Sequence, residues 1–191
     1  MVDHQAQRAR IADALMRVAA DRGLEAVSVR HVAAEADVST GMVQHYFRTK
    51  DAMMAFALDM VSRNAEARIA ADAPSLGANP TPRALVRALL VQLLPLDGTR
   101  TREAKVTLAF LAYAAVRPEA GTRLREIATG MRAFLAAQIR AAAAVTDPET
   151  AATALFALVD GLGVHVLTGQ CSPEATLATL DAHLDTVLGR P

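Results

Sequence analysis

The sequence predicts an all-α fold of nine helices. Three observations favour this class. Apolar residues recur at three- and four-residue spacing along most of the chain, and alanine, the best helix former, is the most frequent residue type. The alternation of apolar and polar residues that marks strands is almost absent. With 191 residues, of which 52% are hydrophobic, the chain is long enough to bury a substantial core.

Each predicted helix has a start or stop signal. The first carries an apolar stripe that begins at Ile11, and it stops before Gly23. Proline follows Asp147 and Ser172, which places a capping side chain before a proline at the first helical position. A loop rich in Pro, Gly and Asn separates the fourth and fifth helices. The predicted helices are Gln5–Arg22, Val29–Glu35, Thr40–Tyr46, Lys50–Ala71, Pro82–Leu94, Thr101–Val116, Pro118–Ala144, Pro148–Leu167 and Pro173–Leu188.

The second and third helices form a predicted helix-turn-helix. They are short, and the tight turn Ala36–Ser39 separates them. Ser28 can cap the second helix and Thr49 the fourth, while Val38 and Val43 can pack the two short helices together. The second helix of such a motif fits the major groove of DNA. The sequence therefore predicts a protein that binds double-stranded DNA.

The segment Ile11–Leu58 resembles the TetR family of bacterial transcriptional repressors. The resemblance rests on an alanine-rich first helix, a Gly-Leu stop and an ordered set of later residues, namely Val29, Val32, Ala33, Asp37, Val38, Ser39, Gly41, Tyr46 and Phe47. Asp37 stands where the family usually has glycine, but aspartate tolerates left-handed backbone, so we expect the turn to persist. Gln44 and His45 stand where tyrosines are common, which implies a different operator sequence.

The resemblance and groove geometry together assign the DNA contacts. Gln44 can bond to adenine and His45 to guanine or phosphate, whereas Tyr46 and Lys50 resemble the family's phosphate contacts. The alternative for any one of these side chains is ordinary solvated surface, and for Met42 it is packing. Phe47 is expected in the core. The predicted DNA-binding residues are Ser28, Arg30, Thr40, Gly41, Met42, Gln44, His45, Tyr46 and Lys50.

The last two helices are expected to form a homodimer interface. In TetR-like regulators these helices pair with their counterparts in a second protomer, and the eighth helix is apolar on more than one side. The alternative is burial within one monomer. Two protomers would place their recognition helices about 34–36 Å apart, on a palindromic operator. The predicted interface residues are Leu155, Val159, Leu162, Val166, Leu177, Leu180 and Leu184.

Segments of the C-terminal part resemble the BetI-like branch of the family, which includes choline-responsive regulators. The segments are Leu93–Asp97, Leu108–Phe110 and Val159–Leu162. Because few aromatic residues and no tryptophan follow residue 58, a small apolar or amphipathic effector suits the sequence better than a caged quaternary ammonium. Each candidate contact has core packing as its alternative. The candidates are Met60, Val91, Gln92, Leu94, Phe110, Tyr113, Met131, Phe134, Phe156 and His165.

The sequence thus predicts a DNA-binding domain over residues 1–50 and an effector-binding and dimerisation domain over 51–191. We expect a homodimeric repressor that an effector releases from its operator. The alternative is an effector-independent DNA-binding protein that acts through a protein partner or in chromosome organisation. No catalytic motif, metal site or cofactor site is apparent, and Cys171 is the single cysteine. A polar N-terminus and apolar runs of at most about nine residues predict a cytoplasmic protein without a membrane segment.

Overall fold

The computed structural model describes residues 4–23, 26–142 and 145–190. Within them the chain forms nine α-helices and no strand, which confirms the predicted fold class. Short 3₁₀ turns occupy Ala73–Leu76 and Pro118–Gly121. The helices are α1 His4–Arg22, α2 Val29–Ala36, α3 Thr40–Tyr46, α4 Lys50–Asp72, α5 Pro82–Leu93, α6 Gly98–Val116, α7 Thr122–Ala142, α8 Pro148–Leu167 and α9 Pro173–Leu188.

The helix ends differ from the prediction mainly at α6 and α7. The α6 helix begins three residues early, at Gly98, because Asp97 caps it: the Arg100 N–H donates to Asp97 Oδ1 at 2.8 Å. This backbone hydrogen bond, with the Arg100 guanidinium, holds the pKa of Asp97 below its usual value. The predicted seventh helix opens instead as the 3₁₀ turn at Pro118, and its predicted end at Ala144 lies outside the described residues.

The chain divides into two compact units, and the first contains the described residues of Met1–Asn64 and Lys105–Arg123. The predicted apolar stripe of α1 is its core, since Ile11 and Leu15 have no exposed surface. An ion pair ties α1 to α2, with Arg17 Nε 2.7 Å from Glu35 Oε1. Hydrogen bonding to Arg17 lowers the pKa of Glu35. The functional boundary that we expect at residue 50 stays a prediction.

The second unit contains Ala65–Ala104 and the described residues of Leu124–Pro191. Its core is built from α5, α7, α8 and α9, and Leu90, Leu135 and Leu155 have no exposed surface. Two arginines of α5 bind acidic residues of α9: Arg83 contacts Asp185, and Arg87 Nε lies 2.6 Å from Asp181 Oδ1. The second unit therefore combines an apolar core with ion pairs at its edge.

The α8 helix is more apolar than expected. An 18-residue window of it has a mean hydropathy of 1.6, so length and composition alone would allow it to cross a membrane. Uninterrupted apolar runs do not identify this helix, because Asp160 and His165 interrupt it, whereas alanine, leucine and valine raise its average hydropathy. A core helix meets the same criteria, and Leu155, Val159 and Leu162 of α8 do lie in the core.

Candidate DNA-binding surface

Two serine caps fix the start of each helix in the helix-turn-helix. Ser28 Oγ accepts a hydrogen bond from the His31 N–H at 3.2 Å at the start of α2. Ser39 Oγ accepts one from the Met42 N–H at 3.1 Å at the start of α3. Each serine satisfies an N–H group that the first helical turn leaves unpaired. The cap that we predicted at Ser28 is confirmed.

The turn between α2 and α3 depends on Asp37. Its backbone is left-handed, with φ 52° and ψ 55°, and it is the one non-glycine residue with positive φ in the described part of the chain. The Val38 N–H closes the turn on the Ala33 carbonyl at 3.0 Å. Arg10 Nη2 of α1 also donates to the Asp37 carbonyl at 3.4 Å. Aspartate thus adopts the left-handed conformation that we expected at this position.

The α3 helix has one buried side and one uncovered side. Val43 has no exposed surface and Phe47, just after the helix, is 2% exposed, as expected for core residues. The Phe47 ring packs against the Phe56 ring at 5.2 Å between centroids, and the Arg8 guanidinium lies 4.2 Å from the Phe56 centroid. The exposed residues of α3 are Thr40, Gly41, Met42, Gln44 and His45.

Gly41 is not closely packed by the residues that the structure describes. A Cβ atom added there would have one neighbour within 4 Å, Ser39 Oγ at 3.9 Å, which is ordinary van der Waals contact. The described fold therefore has room for a side chain at this position. Because glycine has no side chain, the exposed surface of α3 has a shallow depression at this position.

The start of α4 lies in the same unit. Thr49 caps it, as predicted, by accepting a hydrogen bond from the Ala52 N–H at 3.0 Å. Tyr113 of α6 donates its hydroxyl to Asp51 Oδ1 at 2.8 Å, and this bond raises the pKa of the tyrosine. Lys50 Nζ lies 5.8 Å from the centre of the Tyr113 ring. The first turn of α4 thus has a defined backbone and defined side-chain partners.

The sequence did not indicate a role for His4. Its Nδ1 lies 3.0 Å from the Tyr46 hydroxyl oxygen, and the two groups share a hydrogen bond. The rings of His4 and His45 have centroids 6.4 Å apart, and those of His45 and Tyr46 are 5.2 Å apart. Because 42 residues separate His4 from Tyr46, only the packing of α1 brings them together.

All nine predicted DNA-binding residues lie in the first unit. Thr40, Gly41, Met42, Gln44 and His45 of α3 are exposed, as is Arg30, whereas Ser28, Tyr46 and Lys50 are partly buried. This distribution suits a surface that binds DNA, because most of the hydrogen-bonding side chains are exposed while Val43 and Phe47 are buried. The contacts with bases and phosphates stay predictions.

The ten predicted effector contacts are divided between the units. Met60, Phe110 and Tyr113 lie in the first, and the other seven lie in the second. The set varies in exposure, since Leu94 has no exposed surface whereas Phe134 is 38% exposed. A cavity of about 190 Å³ in the second unit touches none of the ten. It is lined by Leu76, Thr81, Arg83, Ala84, Arg87 and Ala88.

The Gln92 side chain is engaged inside the second unit. Its Oε1 accepts a hydrogen bond from Arg68 Nε at 2.8 Å, and its Nε2 donates to Asp72 Oδ2 at 3.3 Å. Arg68 also binds both carboxylate oxygens of the buried Glu103, at 3.2 and 2.8 Å. Such a satisfied network is a structural reason for a buried glutamine.

The predicted dimer residues mostly face the core of the second unit. Leu155, Leu180 and Leu184 have no exposed surface, while Val159 is 2% and Leu162 is 6% exposed. Side chains already buried in the monomer add almost no buried area when a second copy binds. The outward faces of α8 and α9 carry smaller side chains instead. The exposed small residues there are Thr150, Thr153, Ala154, Ala157, Gly161, Ala175, Ala178, Thr179, Ala182 and Thr186, and the larger exposed residues are Glu149, Asp160, His165, Pro173 and Glu174.

Comparisons with known proteins agree with this arrangement. The family described as "Bacterial regulatory proteins, tetR family" matches residues 11–55, and "BetI-type transcriptional repressor, C-terminal" matches residues 82–189. The transcriptional regulator PksA of Bacillus subtilis is 34% identical over 169 residues, which are 87% of this chain and 81% of PksA.

Two solved structures extend the likeness to the fold. A transcriptional regulator from Rhodococcus sp. Rha1 has a TM-score of 0.82 and 38% identity, covering 94% of this chain and 95% of its own. A regulator from Saccharomonospora viridis in complex with choline has a TM-score of 0.76 and 25% identity. The match covers 96% of this chain and 95% of that regulator. The chain therefore belongs to the TetR family of transcriptional regulators, with a DNA-binding N-terminal domain and a C-terminal part of the BetI type.

Proposed function

We propose that the protein is a homodimeric repressor that binds a palindromic operator and is released from it by a small molecule. The observation that carries this proposal is the uncovered side of α3. Gln44 and His45 are exposed on a helix whose other side is held by Val43 and Phe47. A rigid helix with exposed hydrogen-bonding side chains has the chemistry to discriminate base edges in the major groove.

The candidate phosphate contacts lie in the same unit as this helix. Arg30 and Lys50 supply positive charge, while Tyr46 supplies a hydroxyl that His4 orients. The N-terminus of α4 adds partial positive charge beside Lys50. Since the net charge of the whole chain is zero, attraction to DNA depends on the placement of these few groups. Two copies on one operator would double their number.

The dimer would form through the outward faces of α8 and α9. These helices carry no lysine or arginine, and only 22% of the apolar window in α8 is buried by the rest of the chain. Uncovered apolar surface of this kind marks an interaction site. The small side chains of Ala157, Gly161 and Ala182 allow helices to approach closely. A second copy of the same chain presents a matching face through two-fold symmetry.

The effector would be a small apolar or amphipathic molecule. Val91, Met131 and Phe156 pack against the core of the second unit without being fully buried, so ligand contact requires little unpacking. A relative binds choline, which makes a small organic cation a reasonable first probe. An effector releases DNA only if it binds the DNA-free conformation more tightly than the DNA-bound one.

The decisive experiment is to select genomic fragments on the purified protein and measure its affinity for the enriched sequence by fluorescence anisotropy. We expect a palindrome with half-sites one helical turn apart, bound by two protomers. Choline and an apolar dye are then titrated into the complex. Binding without sequence preference would contradict the proposal. If the protein binds the operator selectively and neither choline nor the dye changes its affinity, the result favours a DNA-binding protein that does not respond to these two classes of ligand.

A further inference from the structure

Tyr113 joins α6 to the first turn of α4. Its hydroxyl donates to Asp51 Oδ1 at 2.8 Å, across 62 positions of sequence. Tyr113 falls in the part of the chain that matches the BetI-type C-terminal family, yet it packs in the same compact unit as α1, α2 and α3. A residue from the C-terminal part of the sequence therefore contacts the edge of the candidate DNA-binding surface.

The Tyr113 ring also interacts with two cations. Lys50 Nζ lies 5.8 Å from the ring centroid and Arg117 Cζ lies 4.5 Å from it. Both distances are within the range of cation–π attraction. Tyr113 thus contacts adjacent residues of α4 in different ways, Asp51 through its hydroxyl and Lys50 through its ring.

These contacts act on side chains that the backbone does not fix. Thr49 caps the first turn of α4 through the backbone, and Met53 anchors it because its side chain is 1% exposed. Asp51 is exposed and Lys50 is partly buried, so their directions depend on side-chain partners. The orientation of Asp51 matters for DNA, because a carboxylate beside a lysine attracts the ammonium group and repels phosphate.

We propose that Tyr113 is a positioning residue for DNA binding. Its hydroxyl holds the Asp51 carboxylate, and its ring guides the Lys50 ammonium, so that Lys50 reaches a DNA phosphate. This inference rests on the proposed phosphate contact of Lys50. It gives Tyr113 a role that requires no effector.

The test uses Tyr113→Phe, which removes the hydroxyl and keeps the ring. We expect affinity for all duplexes to fall about threefold to tenfold, as for one lost hydrogen bond to a charged group at a partly exposed site. The slope of log affinity against log salt concentration should fall by up to about one, which is the value expected for one lost phosphate contact. Preference among operator variants should stay the same. Thermal unfolding of both proteins controls for a change in stability.

A second background separates positioning from packing. In Asp51→Ala the hydroxyl has lost its acceptor, so adding Tyr113→Phe should cause no further loss of affinity. An equal loss in both backgrounds would overturn the inference, because the hydroxyl would then act without Asp51. Native affinity and salt dependence in Tyr113→Phe would overturn it while leaving the proposed function intact. A wild-type protein that binds no duplex selectively would overturn both.

Discussion

The outward side of α3 and the outward faces of α8 and α9 are both left uncovered by the chain, but their chemistry is opposite. The α3 helix exposes long or polar side chains such as Gln44 and His45. The α8 and α9 helices expose small ones, of which Ala157, Gly161 and Ala182 are examples. Long polar side chains reach into a groove and form hydrogen bonds, whereas small ones allow two helices to approach closely. This contrast supports the different partner that we propose for each unit.

The two sides also differ in what their sequence shows. A helix-turn-helix requires caps and a left-handed turn, and these leave specific residues at fixed spacing. The helix–helix interface that we propose for α8 and α9 leaves almost no residue pattern, since alanine is common throughout this chain. Exposure in the folded chain is needed to recognise it.

The largest effect is expected from Ala157→Arg. An arginine on the outward face of α8 would prevent close approach of a second copy and place a charge in the interface. We expect a monomer in sedimentation equilibrium and affinity for a palindromic duplex at least about 100-fold weaker, because two linked half-site contacts become one. Ala137→Arg, on an exposed position of α7, is the matched control and should stay dimeric. A dimer in both variants would place the interface elsewhere.

The next effect tests the α3 side. Gln44→Ala should relax the base preference at one or two operator positions, with a loss of discrimination of about 1–3 kcal/mol. Binding is measured against a set of single-base operator variants. Gln138→Ala is the control, because it removes a glutamine from α7, outside the helix-turn-helix. An unchanged preference in Gln44→Ala would exclude the residue from base discrimination.

A smaller and uniform effect is expected from Lys50→Ala. Loss of a phosphate contact should weaken binding to every duplex alike and lower the slope of log affinity against log salt by about one. Lys105→Ala is a well-matched control, since Lys105 is the other lysine of the chain and lies on α6. A sequence-selective loss in Lys50→Ala would indicate a base contact instead.

The smallest effect is expected from substitutions of Asp37, in the turn that precedes α3, and it concerns the free energy of unfolding. Alanine in the left-handed conformation of position 37 costs about 1 kcal/mol more than glycine, so the free energy of unfolding of Asp37→Ala should be about 1 kcal/mol lower than that of Asp37→Gly. Asp37→Gly should stay within about 0.5 kcal/mol of the native chain. Urea denaturation measures both. Equal stability of the two variants would contradict the assignment of backbone strain to this residue.

The sequence predicted the local features well. Val29, Thr40 and Lys50 were identified as helix starts, and Ser28 and Thr49 as caps, because capping depends on residues that are neighbours in sequence. The start of α6 was missed because Asp97 was not recognised as a cap.

Long-range features were harder to predict. The hydrogen bond shared by His4 and Tyr46, and the one that Tyr113 donates to Asp51, join residues 42 and 62 positions apart. Helical periodicity identifies an apolar stripe, but it does not say whether the stripe faces its own core or a second copy. Leu155 and Leu180 were therefore assigned to an interface, although they lie in the core.

The small-residue faces of α8 and α9 have a consequence for partner choice in a cell that contains several related regulators. In the proposed dimer, a surface in which alanine, glycine and threonine predominate around Asp160, without lysine or arginine, would select partners largely by steric fit. A related protomer that carries one larger side chain at the matching position would be excluded. Heterodimers would then be avoided through shape, and each regulator would keep its own operator half-sites.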